Sequence, residues 1–462
     1  MPVPALPAAD APAPPAAAGV LLRQIGALAV PTTALSLLQV GAQLVETVLA
    51  ARQGTAALAG WAVLLPFALL LAQMSTGAMG GGVVAAVARA LGGQRRDEAS
   101  ALVLHAMLIA TAGGLLFAVG VSLAAGPLVR AVAGAEAAAL AAPYAWWLFG
   151  AGAVPAWWTN TLASVLRGGG QHALAARILA LQWLAYPVLA WALAEPWAGW
   201  SGMGLAGVGA AYAAANAAAA VVMLRLVQRG GAGFLPSWRA VPAWAMFRRI
   251  LQVGAVASGL ALLSNLTTVI VTSQLRHLGP ATVAAYGIAA RLEFLVIPLA
   301  WGVGSALTTL VGRAVGAGDW PRARRTAWLG GGLALGCTAV IGLVVALQPL
   351  LFARLFTDDA EVVAMAARAL RYTGLAFGAF GLGMAMYFAA MGAQRMGAPV
   401  LAGCARLATA TGLGWCLAHG FWGLGGWQGL GPEGHFLGVA LGLLAYGLIS
   451  ASGVRPGVWR AR

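Results

Sequence analysis

Arg89-Ala-Leu-Gly-Gly93, with Arg95, Arg96 and Ala99 following, returns as Arg313-Ala-Val-Gly-Ala317, with Arg322, Ala323 and Arg324 following. The offset is 224 residues. Upstream, Gly54-Thr-Ala-Ala-Leu-Ala59 matches Gly279-Pro-Ala-Thr-Val-Ala284 at an offset of 225. Downstream, Arg130 and Glu136 match Arg354 and Glu361, and Gly168 matches Gly392. Single matches carry little in an Ala/Gly-rich chain. Their agreement on offsets of 224–225, in corresponding stretches, marks an internal repeat covering two halves of the protein.

Each half is almost entirely apolar. Of 462 residues only 8% are charged, 61% are hydrophobic, and the mean hydropathy is +0.85. A soluble domain has about 25% charged residues. That composition excludes a soluble enzyme, a disordered chain and a disulfide-stapled secreted domain. Twelve apolar segments are long enough to cross roughly 30 Å of hydrocarbon as helices. They fall near residues 24–51, 55–88, 101–126, 139–165, 174–195, 203–227, 246–275, 281–311, 327–351, 361–390, 397–419 and 434–454. None alternates with period two, so strands are not expected. The prediction is an all-α integral membrane protein. Its twelve transmembrane helices form two six-helix lobes related by a pseudo-two-fold axis along the membrane normal, because six spans return the chain to its starting side. The expected organisation is a flexible Pro/Ala-rich tail (1–19), an N-lobe (20–228), a cytoplasmic linker (229–245), a C-lobe (246–454) and a short tail (455–462).

Orientation follows from arginine, since all 27 basic residues are arginine. Assigned to the gaps, 20 fall on the side of the termini, six on the other, and Arg291 inside a span. The positive-inside rule then places both termini in the cytoplasm. Trp197, Trp200, Trp422 and Trp427 in the opposite gaps fit an aromatic belt. The net charge of +15 reads as topology rather than as a nucleic-acid footprint. Cys337, Cys404 and Cys416 lie in apolar runs and read as packing residues. The five histidines show no metal-ligand spacing. Without lysine no P-loop can be completed, so no cofactor is expected beyond a coupling ion, H⁺ or Na⁺.

Sorting the twelve acidic residues leaves only Glu46 and Glu293 well inside apolar segments. A carboxylate there costs on the order of 2.5–3.5 kcal/mol on insertion scales, which makes both functional candidates. Pro31, in the segment of Glu46, removes a backbone donor and is a candidate hinge. Trp61, Trp183, Tyr212, Tyr286, Phe294 and Trp301, with Arg291, are candidates to line a substrate cavity, where ring faces attract flat organic cations; packing is the competing role for each.

Leu310-Val-Gly-Arg-Ala-Val-Gly-Ala-Gly-Asp-Trp-Pro-Arg-Ala-Arg324 resembles the signature after the eighth helix of the multidrug and toxic compound extrusion (MATE) family. Leu355-Phe-Thr-Asp-Asp-Ala-Glu-Val362 resembles the segment before that family's tenth helix, and Arg167-Gly-Gly-Gly-Gln171 its Gly-rich turn. The resemblance implies a monomeric antiporter of the bacterial inner membrane, exporting small organic cations in exchange for H⁺ or Na⁺. It implies a coupling acid at Glu46, fifteen residues after Pro31 in Val45-Glu46-Thr47, where the family usually has aspartate. Gln182 and Tyr186 stand where many members have asparagine and aspartate. The lost second carboxylate favours H⁺. Glu293 resembles an acidic position found in part of the family. A lipid-linked saccharide flippase and a major-facilitator antiporter are the alternatives.

Overall fold

The computed structural model describes residues 17–420 and 429–460. Residues 1–16 and 461–462 of the expected tails, Trp422 and Trp427 of the expected belt, and the side chain of Phe294 lie outside the described residues. Long helices dominate. They are α1 (Ala18–Arg52), α2 (Thr55–Gly92), α3 (96–133), α4 (135–168), α5 (His172–Ala194) and α6 (Leu205–Gln228) in the first half. The second half has α7 (Trp244–Leu275), α8 (Pro280–Gly316), α9 (Trp320–Leu347), α10 (Ala360–Ala393), α11 (Gly397–His419) and α12 (Pro432–Ser452). The chain runs helical from α3 into α4 with one break at Gly134, whose φ of 91° is open to glycine without strain. Outward-facing leucines and valines coat the bundle, as with Leu123 at 72% and Val188 at 68% exposure. A surface this apolar, on helices this long, is that of a multi-pass membrane protein.

The ends follow local chemistry. Asp319 accepts a hydrogen bond from the Arg322 backbone N–H at 2.9 Å, and Asp359 accepts from Glu361 and Val362 at the start of α10. These are the N-caps that free backbone donors require. Prolines at 31, 66, 187 and 298 sit inside helices that run on through them. Three helices contain a single π-helical turn: α2 at Gln73–Ala78, α4 at Trp146–Ala151 and α11 at Ala408–Leu413. Such turns cluster where helices are adapted for function.

Helices α1–α6 and α7–α12 form two lobes with separate cores. One is built around Leu64, Tyr144, Phe149 and Trp157, the other around Val271, Phe377, Phe436 and Leu443. They meet through α2 and α8, and through α1 on α8 and α7 on α2. The α2–α8 contact is reciprocal at the arginine-rich face: Gly92 lies against the Arg313 backbone and Gly316 against the Arg89 backbone. Each residue is 224 positions from its counterpart. The repeat is thus expressed as a pseudo-two-fold contact, and only residues without a Cβ fit its centre. Glu98 clamps the same face, pairing with Arg95 at 3.0 Å within its own lobe and with Arg249 from α7 of the other.

Arg406 corrects the arginine census. Counted with a gap on the side of the termini, it lies within α11 instead, and its guanidinium reaches Glu293 at 2.6 Å. Arg167 is likewise drawn in, with 4% exposure. Arg291 is therefore not the one arginine inside the bundle.

Candidate functional site

Glu46 sits on the inner side of α1, 8% exposed. Its Oε1 accepts two hydrogen bonds, from Trp61 Nε1 on α2 at 3.0 Å and from the Tyr144 hydroxyl on α4 at 2.9 Å. Both donors are themselves buried, Trp61 at 6% and Tyr144 at 1%. Their apolar bodies pack in the N-lobe core while their polar tips converge on one oxygen. Hydrogen bonds from two donors stabilise a carboxylate in a place where burial alone would expel it.

Tyr186 on α5 and Tyr212 on α6 complete an aromatic cage within electrostatic reach of Glu46. Tyr186 stacks edge to face on Tyr212 at 6.0 Å and on Trp183 at 5.8 Å. Its hydroxyl is buried and faces the Glu46 carboxylate without a hydrogen bond of regular geometry among the described residues. One turn earlier on the same face, Gln182 donates from Nε2 to Asn216 Oδ1 at 3.0 Å, and its own Oε1 is left buried without a donor. Asn216 is fixed in turn, donating to the Tyr212 carbonyl at 2.9 Å. Its backbone carbonyl accepts from the Thr159 hydroxyl. Five of the six N-lobe helices therefore feed one polar seam: an acid, two unpartnered oxygens and a wall of rings. An acceptor and a hydroxyl left open in a desolvated site are groups that a proton, a water or a small cation satisfies.

The other sequence candidates scatter. Glu293 on α8 pairs with Arg406 on α11, whose guanidinium also lies 5.3 Å over the Phe380 ring; Tyr286 is buried beside the pair. Both charges are thereby neutralised inside the C-lobe. Arg291 is exposed on α8, and no ion pair involves it among the described residues. Trp301 packs edge to face on Phe388 at 5.0 Å and borders a small cavity between the lobes. Trp61, Trp183 and Tyr212 belong to the Glu46 seam instead, so the aromatic candidates do not share one cavity. Pro31 lies on α1 next to Thr32, which is held at 3.4 Å from His172 Nδ1; His172 Nε2 in turn reaches Thr309 on α8 at 3.0 Å. Tyr144 and Asn216 were missed. Asn216 stands alone among alanines 213–220 and carried the same signal as Glu46, a lone polar residue in an apolar run.

Two parallel-oriented six-helix lobes, a buried acid caged in one of them and a cavity between them define a membrane transporter-like architecture. The MatE family model matches residues 31–192 and 257–414, and the chain belongs to that family. It is 32% identical over 219 residues to a probable multidrug resistance protein NorM of Xanthomonas campestris, covering 45% of this chain and 44% of that one. A probable NorM of Rhodopseudomonas palustris is 30% identical over 206 residues, covering 44% and 42%. The chain thus spans less than half the length of these curated relatives in alignment. Among solved structures, the fold is similar to the Vibrio cholerae MATE transporter VcmN, with TM-score 0.86 and 21% identity over 96% and 98% of the chains. It is also similar to a MOP superfamily transporter of Pyrococcus furiosus, with TM-score 0.85 and 20% identity over 95% and 96%.

Proposed function

We propose that this protein is a secondary antiporter of the bacterial inner membrane, with both termini cytoplasmic, that exports organic and mainly cationic compounds in exchange for H⁺. The observation that carries the reading is Glu46, a buried acid held by Trp61 and Tyr144 with no basic partner among the described residues. Proton uptake there removes the charge that the two donors stabilise. The cage of α1, α2, α4, α5 and α6 then repacks, and α1 carries that change to α8 of the other lobe. Pro31 supplies the weak point in α1, since it leaves the Ala27 carbonyl without its helical donor.

Na⁺ is the competing ion. A Na⁺ site is built from several oxygens, and the seam offers one carboxylate, the Gln182 amide oxygen and the Tyr186 hydroxyl. One carboxylate among neutral ligands favours H⁺. Glu293 is assigned to holding α8 against α11, because its charge is spent on Arg406. The NorM relatives are described as multidrug resistance proteins, and the wall of rings around Glu46 suits flat cations by the same cation–π attraction.

One H⁺ moving down 100 mV supplies about 2.3 kcal/mol, or about 1.7 decades of substrate gradient. The test is efflux of ethidium from proteoliposomes under an imposed pH gradient, an imposed Na⁺ gradient, or neither. The proposal expects efflux with the pH gradient alone. Efflux that follows Na⁺ and ignores pH contradicts the ion assignment.

A further inference from the structure

The cavity between the lobes is bordered by Thr76 and Gly77 of the α2 π-helical turn, by Trp301 and Ser305 of α8, and by Arg167 from the last turn of α4. It is small, with room for about one water-sized group. Arg167 is 4% exposed. Among the described residues no carboxylate lies within ion-pair distance of its guanidinium, and the guanidinium makes no hydrogen bond. The imidazole of His172, which lies within reach of both Arg167 and Arg313, brings no negative charge. The hydroxyls of Thr76 and Ser305 are also free of hydrogen bonds among the described residues. A buried cation without a counter-charge is costly and is retained where something pairs with it.

The internal repeat supplies a control within the same molecule. The position 224 residues after Arg167 is Met391. The two turns pack alike: Gly168 lies against Val84 and Val87, and Gly392 against Thr308 and Gly312. Met391 is fully buried there and reaches Gly81. The C-lobe turn is thus built with an apolar side chain, so this backbone does not require a cation. The arginine in the N-lobe copy answers to the cavity.

We propose that Arg167 binds a small anionic group in this cavity. The group is the carboxylate of an amphoteric transported compound or a free halide, with the Thr76 and Ser305 hydroxyls as further donors. The guanidinium fork matches a carboxylate in two parallel hydrogen bonds. Arg167 is then a specificity-determining residue for the transporter proposed above.

The test is binding, which stands apart from transport. Rhodamine 110 carries a free carboxyl group, and rhodamine 123 is its methyl ester. Affinities of both for the detergent-purified full chain are measured by fluorescence anisotropy in methanesulfonate and in chloride. Arg167→Met, the residue of the symmetry-related position, is compared with Arg167→Lys and wild type. The expected result is about a tenfold loss of affinity for the acid in Arg167→Met, little change for the ester, and partial recovery in Arg167→Lys. Should the halide be the occupant, chloride raises the melting temperature of wild type relative to methanesulfonate and leaves Arg167→Met unchanged. The inference is overturned if acid and ester respond alike to Arg167→Met with no chloride effect, or if neither dye nor chloride affects wild type. Absence of gradient-driven efflux with carboxylate selectivity intact would instead contradict the transport proposal alone.

Discussion

Alanine at Gly92 or Gly316 is expected to open the arginine-rich face. A Cβ built on either glycine falls closer to the opposing arginine backbone than real Cβ contacts allow, and the atoms it meets are main chain on another helix. No side-chain rotamer relieves that clash, so α2 and α8 must separate. Small-to-large changes in close-packed contacts cost about 1–3 kcal/mol. Every 1.4 kcal/mol is a factor of ten in the equilibrium between two states. The closed arrangement should therefore lose about five- to 150-fold in population relative to one with this face parted. Because the contact is reciprocal, the two single variants should have effects of similar size. Gln94 and Ala317 are exposed at the two sides of the contact and accept spin labels once Cys337, Cys404 and Cys416 have been replaced. Pulsed electron spin resonance then reads the distance distribution across the face. A longer-distance population in Gly92→Ala and in Gly316→Ala is the expected result. Unchanged distributions in both would refute the assignment of this contact as the closure between lobes.

The remaining predictions concern the buried polar groups. Tyr144→Phe removes one of two donors to Glu46 and should lower stability by about 1.5–3 kcal/mol, read as a reduced melting temperature in detergent; an unchanged melting temperature would show that the bond contributes nothing. Asn216→Leu leaves the Gln182 amide without its acceptor, and a loss of about 1–3 kcal/mol is expected by the same measurement. Glu293→Gln strands the Arg406 charge. Since the two side chains keep 16% and 13% exposure, the cost should fall near the low end of about 3–5 kcal/mol. The double variant Glu293→Met with Arg406→Leu should recover much of that loss and retain pH-driven efflux, and loss of coupling in a well-folded double variant would return Glu293 to the transport pathway.

The lobes were legible because membrane spans announce themselves in consecutive apolar residues and because Arg89 and Arg313 mark corresponding ends of the two repeats. The reciprocal glycine contact shows why those motifs recur. Glu46 was legible for a related reason, as an acid where water is scarce. Its partners were not. Tyr144 lies 98 residues away on another helix, and a tyrosine in an apolar span reads as packing until its hydroxyl is placed. The neutral pairing of Glu293 was hidden by the same distance effect, since Arg406 is 113 residues downstream and was counted with the nearby Arg395. Arg167 looked like a loop arginine beside its glycines. Only packing of the Gly-rich turn against α2 carries it into the interior. Element identity is written in local composition, whereas the pairing of buried charges is decided by which helices meet.

In the proposed cycle Glu46 exchanges the coupling proton. The most direct measurement is substrate-triggered proton release from the purified protein in weakly buffered detergent solution, followed with a pH dye while ethidium is added. Wild type is predicted to release close to one proton per bound substrate, and Glu46→Gln to bind ethidium while releasing none. Equal proton release from Glu46→Gln and wild type would contradict the claim.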